Sequence, residues 1–294
     1  MTIPSFPKTR PMELSDKTLF DLLFASLQPR ISEFTFAGLY LFRRAHVYRI
    51  SRLGESIIVS GCGYDRSPCA LPPLGGDAVA ALNVLAHAGI TIYGADETLA
   101  TRLADDKHWH IVEDRDSFDY LYLREELTTL PGSRFHKKKN RINYFTNRHA
   151  YEVEAYTDRH LKGCLDLLDI WGRVASGEAN KSLALEISAT SEALKLAGAL
   201  GLEGVVIMVD GTVAAFALGE RLNRETAVCH FEKANPFMEG LSQLVNREFA
   251  RLLFNDSTFL NREQDLGEPG LRNAKLSYHP IELVKKYRVS TFRS

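Results

Sequence analysis

Two stretches in the C-terminal half concentrate the residue types that do chemistry. The first runs Glu232-Lys233-Ala234-Asn235-Pro236-Phe237-Met238-Glu239-Gly240, between a strand-like run and a helix-like one. Free backbone N–H groups at a helix start there can hold an anion or a carbonyl oxygen, which is what acyl transfer needs. On that reading Asn235, Phe237, Glu239 and Gly240 contact substrate, and Glu232 is a candidate base. A plainer reading fits the same residues: Asn235-Pro236 turns the chain and Gly240 relieves crowding. The second stretch runs from Asn261 to Tyr278 and is strongly polar after the apolar run Ser257 to Leu260. Arg272 and Lys275, three apart on a short helix, can clamp a phosphate or carboxylate. Asp265 or Glu263 can act as general base for an amine or hydroxyl acceptor. A salt-bridge cluster that closes the domain accounts for the same charges.

Arg134 to Arg148 is a basic amphipathic segment. Lys137, Lys138, Lys139 and Arg141 can meet RNA phosphates while Phe135, Tyr144 and Phe145 offer stacking surfaces. The competing arrangement puts those aromatics in the core and the lysines in water. Glu178, in the polar loop Ala175 to Ser182, is a further candidate for lining a cleft, although a surface loop has the same composition. His87, His108 and His160 lack partners at ligand spacing, so no metal is expected. No Gly-x-Ser-x-Gly elbow supports serine hydrolase chemistry. No Gly-x-Gly run follows the strand before Asn235, which counts against a pyrophosphate-bearing thioester donor.

These residues need two sheets to position them. Leu14 to Gln28 carries Leu19, Leu22, Leu23 and Leu27 at helical spacing, with Ser15 as N-cap. His46 to Ser51 and Ser56 to Ser60 read as a hairpin turning at Gly54. Asp77 caps a helix through Val79, Leu82 and Leu85, and strands follow at Ile90 to Tyr93, Trp109 to Val112 and Phe118 to Leu123. The order restarts at Tyr151 with a strand, a helix through Trp171 and a second helix from Glu186 to Ala199. Gly204 to Asp210, Thr212 to Glu220 and Thr226 to Lys233 then form three antiparallel strands, with Asp210-Gly211 as the first turn. Gly240 to Phe254 is an amphipathic helix. Antiparallel strands, a break and a long helix are the central unit of an N-acetyltransferase-like fold. The expectation is α+β, with two such domains in tandem at residues 1–148 and 149–294.

The chain has 294 residues, enough for two cores at roughly 150 residues per domain. Its 36 Lys+Arg balance 37 Asp+Glu, so any nucleic-acid or lipid partner must use a local patch and not the overall field. Cys62, Cys69, Cys164 and Cys229 show no metal spacing and read as reduced packing residues. No segment approaches the ~20 apolar residues of a membrane-spanning helix, and the N-terminus lacks a signal peptide's apolar run. A cytoplasmic protein is expected.

Phe135-His-Lys-Lys-Lys-Asn-Arg-Ile-Asn-Tyr-Phe145, the stretch Asn261 to Tyr278, and Pro280 with Lys286-Tyr287 resemble the phosphatidylglycerol lysyltransferase C-terminal domain family. The resemblance covers nearly the whole chain and implies two N-acetyltransferase-like domains in tandem. It also implies transfer of an aminoacyl group from aminoacyl-tRNA to an acceptor, which in the family's characterised members is a lipid headgroup. By matching position it places Asp265, Arg272 and Lys275 in the acceptor and active-site region, and Glu232 with Asn235 to Gly240 on the central strand and loop. The expected activity is therefore an acyltransferase that needs no resident cofactor, with aminoacyl-tRNA as donor and a small-molecule or headgroup acceptor. An acyl-CoA donor, or a non-catalytic RNA- or ligand-binding module, are the alternatives.

Overall fold

The computed structural model describes residues 2–63, 66–175 and 181–291. In chain order the first elements are β1 (Arg10–Pro11), α1 (Lys17–Leu27), α2 (Phe36–Phe42), β2 (Arg49–Leu53), β3 (Ser56–Cys62), β4 (Pro68–Ala70), α3 (Ala78–His87), β5 (Thr91–Ala95), α4 (Glu97–Leu103) and β6 (Trp109–Glu113). There follow β7 (Asp119–Leu123), α5 (Arg124–Thr129), α6 (His136–Thr146), β8 (Tyr151–Ala155), α7 (Leu161–Ala175), α8 (Lys181–Leu200), β9 (Glu203–Val209), β10 (Thr212–Arg221) and β11 (Thr226–Ala234). The chain closes with α9 (Leu241–Leu252), β12 (Phe259–Asn261), α10 (Pro269–Leu276), β13 (Glu282–Val284) and β14 (Tyr287–Thr291). The expected α+β class, with two mainly antiparallel sheets, is what the chain adopts.

The chain forms two compact units. One is Met1–Asp119 with Gln264–Arg272 and Leu283–Ser294; the other is Tyr120–Glu263 with Asn273–Glu282. The division thus falls at Asp119/Tyr120, where the sequence suggested 148/149, and the C-terminal residues return to the first unit. Long-range pairing is the reason. β7 joins the second unit's sheet through β12, with Leu121 opposite Asn261 and Leu123 opposite Phe259. The basic helix α6 buries Ile142 and Phe145 in that unit, while β14 inserts between β5 and β6 of the first.

The first unit's sheet has the order β1-β2-β3-β4-β5-β14-β6, with β4 and β5 parallel and the other pairs antiparallel. Ile58, Leu82, Leu85, Ile92, Leu103, Trp109 and Val289 form its core. Asp77 caps α3 as expected, accepting from the N–H groups of Val79 and Ala80. In α1, however, the buried residues are Phe20 and Phe24, while Leu22 and Leu27 are exposed. The helix turns its aromatic face inward because Phe20 packs on Phe36 and Phe24 on Phe34. Its cap is also shifted: Asp16, not Ser15, precedes it.

The second unit's sheet has the order β13-β7-β12-β11-β10-β9-β8. β9 and β10 turn through Asp210 (φ 49°) and Gly211 (φ 73°), the two positive angles of a type I′ hairpin. α9 buries Leu241, Leu244, Val245 and Phe249 against this sheet. No helix among the described residues is long and apolar enough to cross a membrane.

Candidate active site

The second unit's sheet opens between β11 and β12. These parallel strands pair over only three positions, from Thr226 opposite Phe259 to Val228 opposite Asn261. Beyond Asn261 the chain follows β7 instead: the Arg262 N–H donates to Tyr120 O (3.0 Å) and the Tyr120 N–H to Glu263 O (3.3 Å). Opposite β10, the register shifts so that Leu218 faces Phe231 and Gly219 faces Cys229, which leaves His230 as the extra residue of a bulge. The diverging strands bring His230 and Glu232 together with Arg262 and Glu263.

Two ion clusters result. His230 bonds Glu263 Oε1 through Nδ1 (2.7 Å) and Glu220 Oε1 through Nε2 (2.9 Å). Burial disfavours charge on this imidazole, but hydrogen bonds and charges from both carboxylates outweigh it and push the group up to about 10. It is therefore an imidazolium at neutral pH that donates from both nitrogens. In the second cluster Glu232 Oε2 accepts from Arg262 Nη2 (3.1 Å) and Asn246 Nδ2 (2.9 Å). The Arg262 guanidinium lies 5.0 Å from the Tyr278 ring centre and 5.8 Å from that of Tyr122. Lys138 reaches the same tyrosine, with Nζ 3.9 Å from the Tyr278 ring centre, and donates to Ser277 Oγ (2.7 Å). Burial and the neighbouring cations Arg262 and Arg141 push the Lys138 amine down to about 8. Burial also drives the Cys229 thiol far above its ordinary range, which removes it as a nucleophile.

Not every buried polar atom here is satisfied. Arg262 Nη1, Asn246 Oδ1 and Gln243 Oε1 are buried and have no hydrogen-bond partner among the described residues. Gln243 and Asn246 stand three apart on α9 and so share a helix face. A buried orphan costs about 1–3 kcal/mol, so two on the partners of Glu232, with a third one turn away on α9, call for an explanation.

Of the residues expected at the site, Glu232 and Glu263 meet here, and Lys275 supports them. The residue is 8% exposed, and its ammonium donates to the carbonyls of Arg262 (2.5 Å) and Glu263 (3.1 Å). It holds the turn on which Glu263 takes a positive φ, where the sequence suggested an anion clamp. Asp265 and Arg272 form a separate ion cluster in the first unit. Asp265 is fully buried; Oδ1 accepts from Gly267 N–H and Arg272 Nη2, and Oδ2 from Arg272 Nε and Arg115 Nη1. Arg272 also binds Asp116. A carboxylate engaged on all sides by two guanidinium groups and a backbone amide is built as a structural tie, not as a free base.

The loop before α9 behaves as a turn. Asn235 Oδ1 accepts from Phe237 N–H, the Phe237 ring is 78% exposed, and Glu239 faces Arg141 at 3.9 Å with both side chains in solvent. Gly240 (φ 92°) abuts α6, where an added Cβ would lie 2.0 Å from Arg141 O. Lys137 is exposed on α6, and Lys139 donates to Gly132 O. Glu178 lies outside the described residues. His230, Glu220, Asn246, Gln243, Tyr122 and Tyr278 are the members that sequence reasoning missed. The available signal was the polar pair His230 and Glu232, two apart in the strand Thr226–Ala234. No group of three or more His, Cys, Asp or Glu among the described residues could hold a metal ion.

Comparison with known proteins completes the picture. A conserved Bacteroides thetaiotaomicron protein of unknown function is 30% identical, with TM-score 0.89 over 99% of this chain and 100% of that one. L-PGS from Bacillus licheniformis is 13% identical, with TM-score 0.65 over 100% of this chain and 95% of that one. A tandem GNAT protein from the clavulanic acid pathway is 12% identical, with TM-score 0.51 over 98% and 99%. An uncharacterised Mycoplasmoides gallisepticum protein is 22% identical over 177 residues, which span 59% of this chain and 56% of that protein. The fold is N-acetyltransferase-like, and fold and family together support an acyltransferase. The model of the phosphatidylglycerol lysyltransferase C-terminal family matches residues 24–290, and the chain belongs to that family.

Proposed function

We propose that this chain moves an aminoacyl group from aminoacyl-tRNA to an amine or hydroxyl acceptor, and that the transfer takes place at the opening between β11 and β12. One observation carries the choice of donor. Asn246 Oδ1, a buried acceptor without a hydrogen-bond partner among the described residues, belongs to the amide that donates to the Glu232 carboxylate, and Gln243 Oε1, a second such acceptor, lies one helical turn away on α9. Acceptor oxygens next to a carboxylate suit the ammonium of an aminoacyl group, a feature that an acetyl group lacks. Glu263 is the candidate base: Oε1 is held by His230 and the side chain is 22% exposed. In the reaction the acceptor's nitrogen or oxygen attacks the ester carbonyl and gives up its proton. The bond from that carbonyl to the ribose oxygen breaks, and the ribose hydroxyl leaves protonated.

The exposed cations of α6, Lys137 and Arg141, are the proposed footprint for RNA phosphates. The test uses tRNA charged with a radiolabelled amino acid, with label loss followed over time, alongside isothermal titration with acetyl-CoA. Protein-dependent loss of label without acetyl-CoA binding supports this reading. Acetyl-CoA binding with label retained transfers the site to a thioester donor. RNA binding that weakens steeply with salt, without loss of label, makes the chain a binding module instead.

A further inference from the structure

A group of cations on the Tyr278 side of the same opening goes beyond this reading and does not depend on the donor. Arg262 is 13% exposed and spends Nη2 on Glu232, while Nη1 is buried and has no partner among the described residues. Lys138 Nζ stands over the Tyr278 ring that Arg262 also approaches, and uses one of its three protons on Ser277 Oγ. We propose that Arg262 Nη1 and Lys138 Nζ form a binding subsite for a singly charged oxygen acid, a carboxylate or a phosphodiester.

Charge counting sets the valence. Glu232 neutralises Arg262, and Arg141 faces Glu239 across 3.9 Å, so Lys138 supplies one uncompensated positive charge. Geometry sets the class. A bound oxyanion receives one charge-assisted hydrogen bond from a guanidinium and one from an ammonium. The groups acting on Lys138 are Arg262, Arg141 and Glu232, with Ser277 and Tyr278 in contact; Tyr122 lies beyond Arg262 and gives its proton to Lys275 O. Burial first, and then Arg262 and Arg141 against the opposing pull of Glu232, hold the amine near 8. An anion placed between Arg262 and Lys138 opposes the two cations and raises the amine from that value. Binding is therefore expected to take up a fraction of a proton near pH 8, where the free amine is partly deprotonated.

The full chain is titrated in a pH-stat at pH 8 with sodium acetate or sodium dimethyl phosphate, with sodium chloride at equal ionic strength as control. Saturable proton uptake is expected with acetate, dimethyl phosphate or both, and the effective salt identifies the ligand as carboxylate or phosphodiester. Lys138→Gln, at a half-buried position, should abolish the uptake. Arg262→Lys keeps the charge beside Glu232 but removes the Nη1 donor, and should weaken binding at least tenfold. Uptake no greater than with chloride, or uptake that persists in Lys138→Gln, would overturn the assignment. If Arg262→Lys does not fold, the Lys138→Gln comparison alone decides. Neither measurement depends on acyl transfer, so failure here leaves the proposed reaction standing.

Discussion

The ion cluster around Asp265 and the one around Glu232 have similar ingredients and opposite states of completion. In the first unit, each Asp265 oxygen accepts two hydrogen bonds, from Arg272, Arg115 and Gly267. In the second unit, Glu232 ties Arg262 and Asn246 together, yet each of those partners keeps a buried atom without a hydrogen bond among the described residues. A complete cluster stabilises the fold; an incomplete one costs stability and is retained where a ligand completes it. The position of a charged residue in a polar stretch is therefore a weaker guide to function than whether its neighbours are satisfied.

Several substitutions break or sharpen this contrast. The largest effect is expected for Asp265→Asn, which leaves two guanidinium groups without their buried counter-charge. It should cost about 4 kcal/mol in urea unfolding. Unchanged stability with lost activity would restore Asp265 as a catalytic group. Gly240→Ala should cost about 3 kcal/mol, because the new Cβ meets Arg141 O at 2.0 Å on a backbone with φ 92°. A stable Gly240→Ala protein with impaired transfer would mean that the start of α9 serves the substrate after all.

His230 tests the second cluster through pH. Its folded value of about 10 lies above the ordinary 6.5, so its contribution to stability is fully present below about pH 6.5 and is lost as pH rises through 10. His230→Gln should be less stable at pH 6.5 and should flatten the decline between pH 6.5 and 10. An unchanged slope would show that the Glu220–His230–Glu263 arrangement does not carry that charge. The smallest effect belongs to Lys137→Ala, expected within about 0.5 kcal/mol of wild type in stability, with a shallower salt dependence of tRNA binding.

Locally determined features were legible in the sequence. Asp210-Gly211 makes its hairpin, Asp77 caps its helix, and the apolar spacing after Gly240 gives α9, because turn chemistry and helical period act over a few residues. The unit boundary was not legible, since it depends on β7 pairing with β12 and on β14 returning to the first unit's sheet. The residues gathered at the candidate site were legible only in part, for the same reason. Glu232 and Glu263 have suitable chemistry in any context, but His230 acquires its role from a bulge and from a carboxylate on β10. Gln243 and Asn246 read as ordinary polar positions of a helix, and only the folded chain buries their oxygens without hydrogen-bond partners among the described residues. Arg272 and Lys275 lie three apart as expected, yet one completes the Asp265 cluster and the other holds a backbone turn.

The most direct test of the incomplete cluster as the transfer site is Gln243→Met, assayed for both stability and transfer of label from charged tRNA. Replacing a side chain whose buried amide oxygen has no hydrogen-bond partner among the described residues by an apolar one of similar size should leave unfolding unchanged or raise stability by about 1 kcal/mol, while transfer falls at least tenfold. Full transfer activity in a Gln243→Met protein would contradict the account, because the unsatisfied face of α9 would then have no part in holding the substrate.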